Sequence, residues 1–418
     1  MPDAITIQSL TSSDRDALLE LDQSAFGFDG RDLDPESDTA WIEWERAFGA
    51  RRGDTLGGIY VVFSFGLSVP ARPPEVATVI PMAGLSWVAV HPDHRRQGLL
   101  AAMIRHHLHE VHDSGRGEAI SGLFASESRI YGRFGYGLST ESRRLTLPAK
   151  TDLRPPRGSG DVTTRFEAAR PDVHDGIVKQ VYDAECLRRP GHTVRPATHW
   201  KRHLEDPVSR RPGGAEALKI VIAERDGAPT GYAVVRRSPS WGEHAPEGKV
   251  EVGDLQAVDP QSEYALWRRV LDFDLMAEVA TPGLPLDHPL TTWAGEVGAS
   301  ARPGNAFWTR IVDVGAALPA RGYAAELDVV FDVSDVLCRW NAGRWRLAAD
   351  VHGSTCERTT AEADLALDVR ELGSAYLGGT TLAALGTAGL VDELTPGALT
   401  ACSAAWRSPV LPATPYMF

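Results

Sequence analysis

A chain of 418 residues exceeds what one hydrophobic core supports, so two or three domains are expected, and 43% hydrophobic with 24% charged residues is the make-up of a globular protein. The net charge of −13, from 56 acidic against 43 basic residues, disfavours nucleic acid, whose phosphates need a basic footprint, and favours a cationic partner. No apolar run reaches membrane-spanning length and no basic-then-apolar leader opens the chain, so no membrane partner is expected and a cytoplasmic location is.

Ala4 to Ile7 reads as a strand, followed by a helix capped by Ser13-Asp14 with Leu18, Leu19 and Leu21 facing inwards. Phe26 to Phe48 is acidic, with Asp29, Asp32, Asp34, Glu36, Asp38, Glu43 and Glu45 around Trp41 and Trp44. Such a run is either a solvated helix face or the mouth of an amine pocket, where carboxylates draw in a polycation and an indole offers cation–π contact. Gly57 to Ser68 and Pro74 to Pro81 read as paired strands leading to a short one, Ser86 to Val90, which His91-Pro92 ends. After a polar Arg95-Arg96-Gln97-Gly98 turn, apolar residues at Leu100, Met103, Ile104, Leu108 and Val111 keep the spacing of one buried helical face. A strand, a basic glycine-containing loop and a helix present uncapped N–H groups, the positive end of a macrodipole and two guanidinium groups to an anion. The other reading is an ordinary strand and helix with solvated arginines. Neither a Walker loop nor a G-x-G-x-x-G fingerprint is present.

Ala119 to Phe124 reads as the next strand, Ser126 to Tyr136 as a tight irregular turn, and Pro148 to Gly160 as a linker. Ala257-Val258-Asp259-Pro260 repeats Ala89-Val90-His91-Pro92 and precedes a helical pattern with Leu266, Val270, Leu271 and Phe273 inwards. Here Glu263 follows where the arginines would stand, and no glycine permits close approach, which argues against a second phosphate site. Thr281 to Gly304 forms another Pro/Gly-rich piece. From Phe307 the chain alternates as strands, including Glu326 to Val333, Arg344 to Val351 and Ala363 to Val369, and turns helical from Glu371. Cys186, Cys338, Cys356 and Cys402 are far apart and read as reduced, buried thiols. His109 and His112 lie one turn apart but one residue short of zinc-protease spacing, so no metal is expected.

The run from Val88 through His91-Pro92-Asp93-His94-Arg95-Arg96-Gln97-Gly98 to Leu100 resembles the acetyl-CoA pyrophosphate loop of the GNAT N-acetyltransferases. With Ala125-Ser126-Glu127 and Ile130-Tyr131-Gly132-Arg133-Phe134-Gly135-Tyr136-Gly137 it is similar to the Eis (enhanced intracellular survival) group. Leu100 departs from the Gly or Ala of the general loop, but Arg-Arg-x-Gly-Leu-Leu is a mark of that group. The resemblance implies an α/β protein of two GNAT-type mixed-sheet domains and a sterol-carrier-like α/β domain, divided as 1–155, 156–300 and 301–418, the second without a cofactor site. Arg321-Gly322-Tyr323 and Tyr376-Leu377-Gly378 carry it into the third. It further implies acetyl-CoA-dependent acetylation of cationic amines, those of aminoglycosides with polyamines or lysine side chains besides, by a homo-hexamer. In that reading Val88, Ala89, Val90, Arg95, Arg96, Gln97, Gly98, Leu99, Leu100 and Ser126 hold acetyl-CoA, Trp41 and Glu36 meet the acceptor, Tyr131 is the general acid and the C-terminal carboxylate of Phe418 the base.

From the residues alone, Tyr131 is either a core tyrosine or an acid, its phenol protonated at neutral pH with an ordinary pKa near 10. An α-carboxylate ordinarily titrates at about 3.3–3.7, so Phe418 supplies a base only if desolvated and is otherwise a frayed tail. No cysteine lies near the loop or Tyr131, which favours direct attack in a ternary complex over an acetyl-enzyme. The alternative is a non-catalytic acyl-CoA or lipid binding module built on the last domain.

Overall fold

In the computed structural model, residues 4–29, 34–208, 211, 213–295, 300–304, 306–350 and 352–418 are described; Asp32 of the acidic run and Val351 at an expected strand end lie outside them. The described chain divides into two compact units, one of residues 1–139, 307–409 and 417–418, the other of residues 140–306 and 410–416. No helix among the described residues is long and apolar enough to cross a membrane.

The first unit begins with β1 (Ile5–Ser9), α1 (Arg15–Phe26), α2 (Pro35–Thr39), β2 (Ala47–Arg52), β3 (Thr55–Pro70), β4 (Ala77–Val90), α3 (Leu99–Asp113), β5 (Ile120–Phe124), α4 (Ser128–Tyr131) and β6 (Gly137–Thr140). Asp14 precedes α1, and Leu18, Leu19 and Leu21 are buried as their spacing requires. The buried face of α3 adds Leu99 and His107 to Met103, Ile104, Leu108 and Val111, while Leu100 is half-buried. Where the sequence suggested two short strands before His91, β4 is one strand of 14 residues, antiparallel to β3 throughout. Among the described residues its other edge pairs only at Ala83 and Gly84, so Pro81, which lacks a donor, interrupts no second ladder. The sheet runs β1-β2-β3-β4-β5, then Phe307–Ile311 from far along the chain, then β6.

The second unit contains β7 (Ser142–Pro148), β8 (Thr163–Ala168), α5 (Pro171–Cys186), β9 (Lys219–Arg225), β10 (Ala228–Ser238), β11 (Gly248–Ala257), α6 (Pro260–Leu271) and β12 (Met276–Ala280). Its sheet has the order β7-β12-β11-β10-β9-β8, with β11 and β12 parallel. Leu266, Val270, Leu271 and Phe273 are buried as the repeat predicts.

The chain then returns to the first unit as β13 (Leu327–Ser334), β14 (Gly343–Ala349), β15 (Ser354–Arg358), β16 (Leu365–Asp368), α7 (Val369–Ala375) and β17 (Val391–Glu393). These strands form a separate sheet, β15-β14-β13-β16-β17; β15 and β17 are too short and polar to have been read from the sequence. The helix α7 lies close on the first sheet, where Ser139 Oγ donates to the Gly373 carbonyl at 2.9 Å. All four cysteines are buried free thiols, as expected.

Candidate active site

Strands β4 and β5 pair in parallel only at Ala83 beside Ser121 and Gly84 beside Gly122, and then diverge. The divergence follows a local distortion of β4: the ladder to β3 shifts register between Ile59 and Val61, and Trp87 adopts φ +53°. Between the separating strands opens a cleft of about 900 Å³. Val88, Ala89 and Val90 form one wall and Ser126, Glu127 and Tyr131 another, with Arg95, Arg96, Gly98, Leu99 and Leu100 at the start of α3. Nearly every residue that sequence reasoning assigned to the acyl donor therefore faces one cavity.

The entry to α3 concentrates positive charge. Gly98 is its N-cap at φ +90°, and no side chain caps the first-turn amides of this 15-residue helix. A Cβ at Gly98 would meet only Ile5 Cδ1, at 3.6 Å, so conformation rather than space requires glycine here. Arg95 and Arg96 are exposed, Arg95 donating from Nη2 to the Ala25 carbonyl at the end of α1 at 3.1 Å. Gln97 does not line the cleft: its Oε1 accepts from Arg52 Nη1 at 2.5 Å and its Nε2 donates to the Asp93 carbonyl at 2.9 Å, so its side chain braces the loop.

Tyr131 is 9% exposed, its ring edge-on to Tyr136 at 5.9 Å. Burial, and then the charge of Glu127, pushes its phenol up to about 12, so it carries a proton at neutral pH. Behind it a buried chain runs from the Tyr136 hydroxyl to Ser121 Oγ at 2.9 Å and on to His107 Nε2 at 2.8 Å. Burial pulls His107 down to about 3, leaving it neutral. Tyr136 is fully buried, its hydroxyl held by Ser121.

A row of aromatic rings leads from the acidic segment to the chain terminus. Trp41 stacks on Phe63 at 4.8 Å and meets the edge of Trp87 at 5.9 Å; Phe63 contacts Phe65 at 5.9 Å, and Phe65 contacts Phe418 at 4.5 Å. The Phe418 ring also meets Phe124, the last residue of β5, edge-on at 5.6 Å, so the half-buried terminus is tied down where β4 and β5 part. Sequence reasoning placed Trp41 and Phe418 separately; the alternation of Phe63 and Phe65 in β3 was the available signal of a surface joining them. Glu36 is exposed in the first turn of α2. Of its acidic neighbours, Asp34 caps that helix, Asp38 accepts from the Asp34 amide at 3.0 Å and Glu43 accepts from Ser64 Oγ at 2.6 Å. These three carboxylates have structural partners.

The repeat in the second unit has a different anion from the one expected. Burial, and then the charge of Glu185, raises Glu263 to about 8, so it is protonated at neutral pH. The charge at the start of α6 belongs to Asp259, which accepts from the Ser262 amide at 2.8 Å and pairs with Arg225 at 2.8 Å. The helix already holds its own carboxylate, which excludes a phosphate. His109 and His112 pack against the Trp340 ring at 4.9 and 4.1 Å. Leu337 also reaches the cleft, from a segment that no motif marked.

Family models described as an acetyltransferase (GNAT) domain match residues 6–139 and 191–311, and one described as a sterol carrier protein domain matches residues 314–417. The chain is 42% identical over 380 residues to an uncharacterised N-acetyltransferase of Streptomyces avermitilis, covering 90% of each chain. It is 32% identical over 403 residues to the N-acetyltransferase Eis of Mycobacterium tuberculosis, covering 92% of this chain and 93% of that one. The crystal structure of Eis1 from Mycobacterium abscessus superposes with a TM-score of 0.80 at 28% identity, over 99% of this chain and 100% of the other. A GCN5-related N-acetyltransferase from Anabaena variabilis, 20% identical, shares the fold at a TM-score of 0.83 over 99% and 100% of the two chains. The architecture is thus two acetyltransferase-type α/β domains and a sterol-carrier-type domain.

Proposed function

Since the chain belongs to the Eis family of GNAT N-acetyltransferases and is itself an N-acetyltransferase using an acyl-CoA, we propose that its donor is acetyl-CoA and its acceptors are cationic amines of the aminoglycoside class, with polyamines and lysine side chains as further acceptors. The observation that carries this reading is the cleft itself, where a phenol that keeps its proton shares one cavity with an uncapped, arginine-flanked helix start.

The residues divide the work. Amides at Gly98, Leu99 and Leu100, with Arg95 and Arg96, hold the pyrophosphate of the donor, and the free edge of Val88, Ala89 and Val90 aligns its arm; Ser126 faces them from the opposite wall. Bound acetyl-CoA supplies an acetyl group activated as a thioester. Trp41, within the acidic segment that includes Glu36, receives the ammonium end of the acceptor. The carboxylate of Phe418 takes the proton that the amine must lose, and the Tyr131 phenol gives one to the departing thiolate. Transfer is direct, in a ternary complex, since the four thiols are buried and none lines the cleft. We assign 1–155 to the catalytic domain, 156–300 to its degenerate counterpart and 301–418 to the domain supplying the terminal carboxylate, in a cytoplasmic homo-hexamer.

A thiol-release assay with acetyl-CoA against aminoglycosides, short polyamines and lysine peptides tests this. Turnover with an aminoglycoside, abolished when the chain is extended by two residues beyond Phe418, is expected. Turnover unchanged by the extension removes the carboxylate from the mechanism, and no release with any of these amines overturns the acceptor assignment.

A further inference from the structure

The second unit repeats the strand divergence of the first and lines it with different chemistry. Strands β11 and β12 run in parallel from Gly248 beside Met276 to Glu251 beside Ala280. Beyond that point a cavity of about 240 Å³ lies among Asp254 to Ala257, Pro282 to Pro285, the start of α6 and the end of α5. Most charges around it are already neutralised. Arg188 Nε pairs with Glu185 at 2.7 Å, Arg189 with Asp287 at 2.8 Å and Asp259 with Arg225 at 2.8 Å. Asp254 accepts from the Tyr232 hydroxyl at 2.7 Å and faces Arg195 at 3.5 Å. Burial holds His192 and His288 neutral, at about 4 and about 3.

Among the described lining residues, Glu263 is the carboxyl without an Arg or Lys ion pair; Arg188 and Arg189 act on it only from a distance, and the Trp267 indole is its other polar neighbour. Glu263 Oε1 is shut off from solvent and makes no hydrogen bond of ordinary geometry, the neutral His288 imidazole standing 3.0 Å away. We infer that this cavity is a second binding site, taking a small organic ammonium ion of the short alkyl diamine type, whose charge is met by Glu263 with Glu185 beside it. An ammonium group replaces the proton that Glu263 keeps at neutral pH and part of the proton held by Glu185, which burial raises to about 7, so binding releases about one to one and a half protons near pH 7 and tightens as the pH rises towards 8. The residues involved lie wholly in the second unit and take no part in acetyl transfer, so the inference stands or falls independently of the catalytic roles above.

The test is calorimetric titration of the full chain, without acyl-CoA, by 1,4-diaminobutane near pH 7 in two buffers of different ionisation enthalpy. The expected result is millimolar or tighter binding with about one to one and a half protons released, weakened at least tenfold in Glu263→Gln and retained in Trp41→Ala. Glu263→Gln keeps the shape and removes a buried acid, so it should melt at or above the wild-type temperature. Glu185→Gln, on the facing helix, is expected to weaken binding severalfold. Absence of binding, equal binding by wild type and Glu263→Gln, or binding lost only in Trp41→Ala would each overturn the assignment.

Discussion

Replacing Gly84 by alanine tests the placement of the chain terminus. The new methyl carbon would stand 2.5 Å from Phe65 Cδ2 and 3.0 Å from Phe418 Cε2, against about 3.5–4.0 Å for carbon atoms in contact. One ring or both must retreat by roughly 0.5–1.5 Å. The Phe65 ring, the nearer of the two, must turn aside, and because it packs on Phe418 at 4.5 Å it pushes that ring, and the carboxylate with it, out of place. A displacement of about 1 Å at a reacting group lowers kcat by about 100-fold, near 2.7 kcal/mol of barrier. KM for acetyl-CoA, which the proposed function assigns to the start of α3, should stay within about twofold. Overpacking also removes about 1–3 kcal/mol of stability, so thiol release is measured well below the melting temperature at saturating acceptor. Adding Phe65→Leu, which makes room for the methyl group, should restore most of kcat. A Gly84→Ala enzyme with wild-type kcat, or one altered only in KM, would refute the argument.

Three further perturbations have defined outcomes. Tyr131→Phe should lower kcat by about 10²–10⁴-fold with little change in melting temperature, and the wild-type enzyme should show no alkaline loss from this group below about pH 10, because its phenol stays protonated to about 12. Arg46→Met strands the Glu118 carboxylate, 4% exposed and bonded to both guanidinium nitrogens at 2.7 Å, and should remove about 3–5 kcal/mol in urea denaturation; the double variant with Glu118→Leu should recover most of it. Burial raises Asp22 to about 6, above its unfolded value of 3.8, so the folded state binds the extra proton and stability falls as pH rises between those values. Asp22→Asn should therefore raise the melting temperature at pH 7.5 and have little effect near pH 4; an equal effect at both pH values would contradict this.

Features set by local pattern were legible from the residues. The faces of α3 and α6 and the Gly98 turn each depend on a few neighbouring positions, and they stand where the spacing put them. Features set by distant partners were not. Nothing near Arg46 marks Glu118, 72 positions away, as its counter-ion, and Gln97 was assigned to the donor although Arg52, from β2, turns it aside. Glu263 was read as a charge because its burial depends on how α5 and α6 pack, which the helical spacing of α6 does not state. The division of β4 failed for a simpler reason: proline is read as a stop, and only the sheet shows that one edge of that strand is almost free.

The strand Phe307–Ile311 lies between β5 and β6, pairing Phe307 with Phe124 and Ile311 with Ile120. During synthesis, β5 therefore leaves the ribosome about 190 residues before the segment that covers its edge, a wait of about 10–40 seconds at roughly 5–20 residues per second. Throughout that interval an apolar edge is open to pairing with other nascent chains. Expression of residues 1–155 alone would make the exposure permanent, so a soluble catalytic fragment should be sought by splitting the gene into co-expressed pieces rather than by truncation.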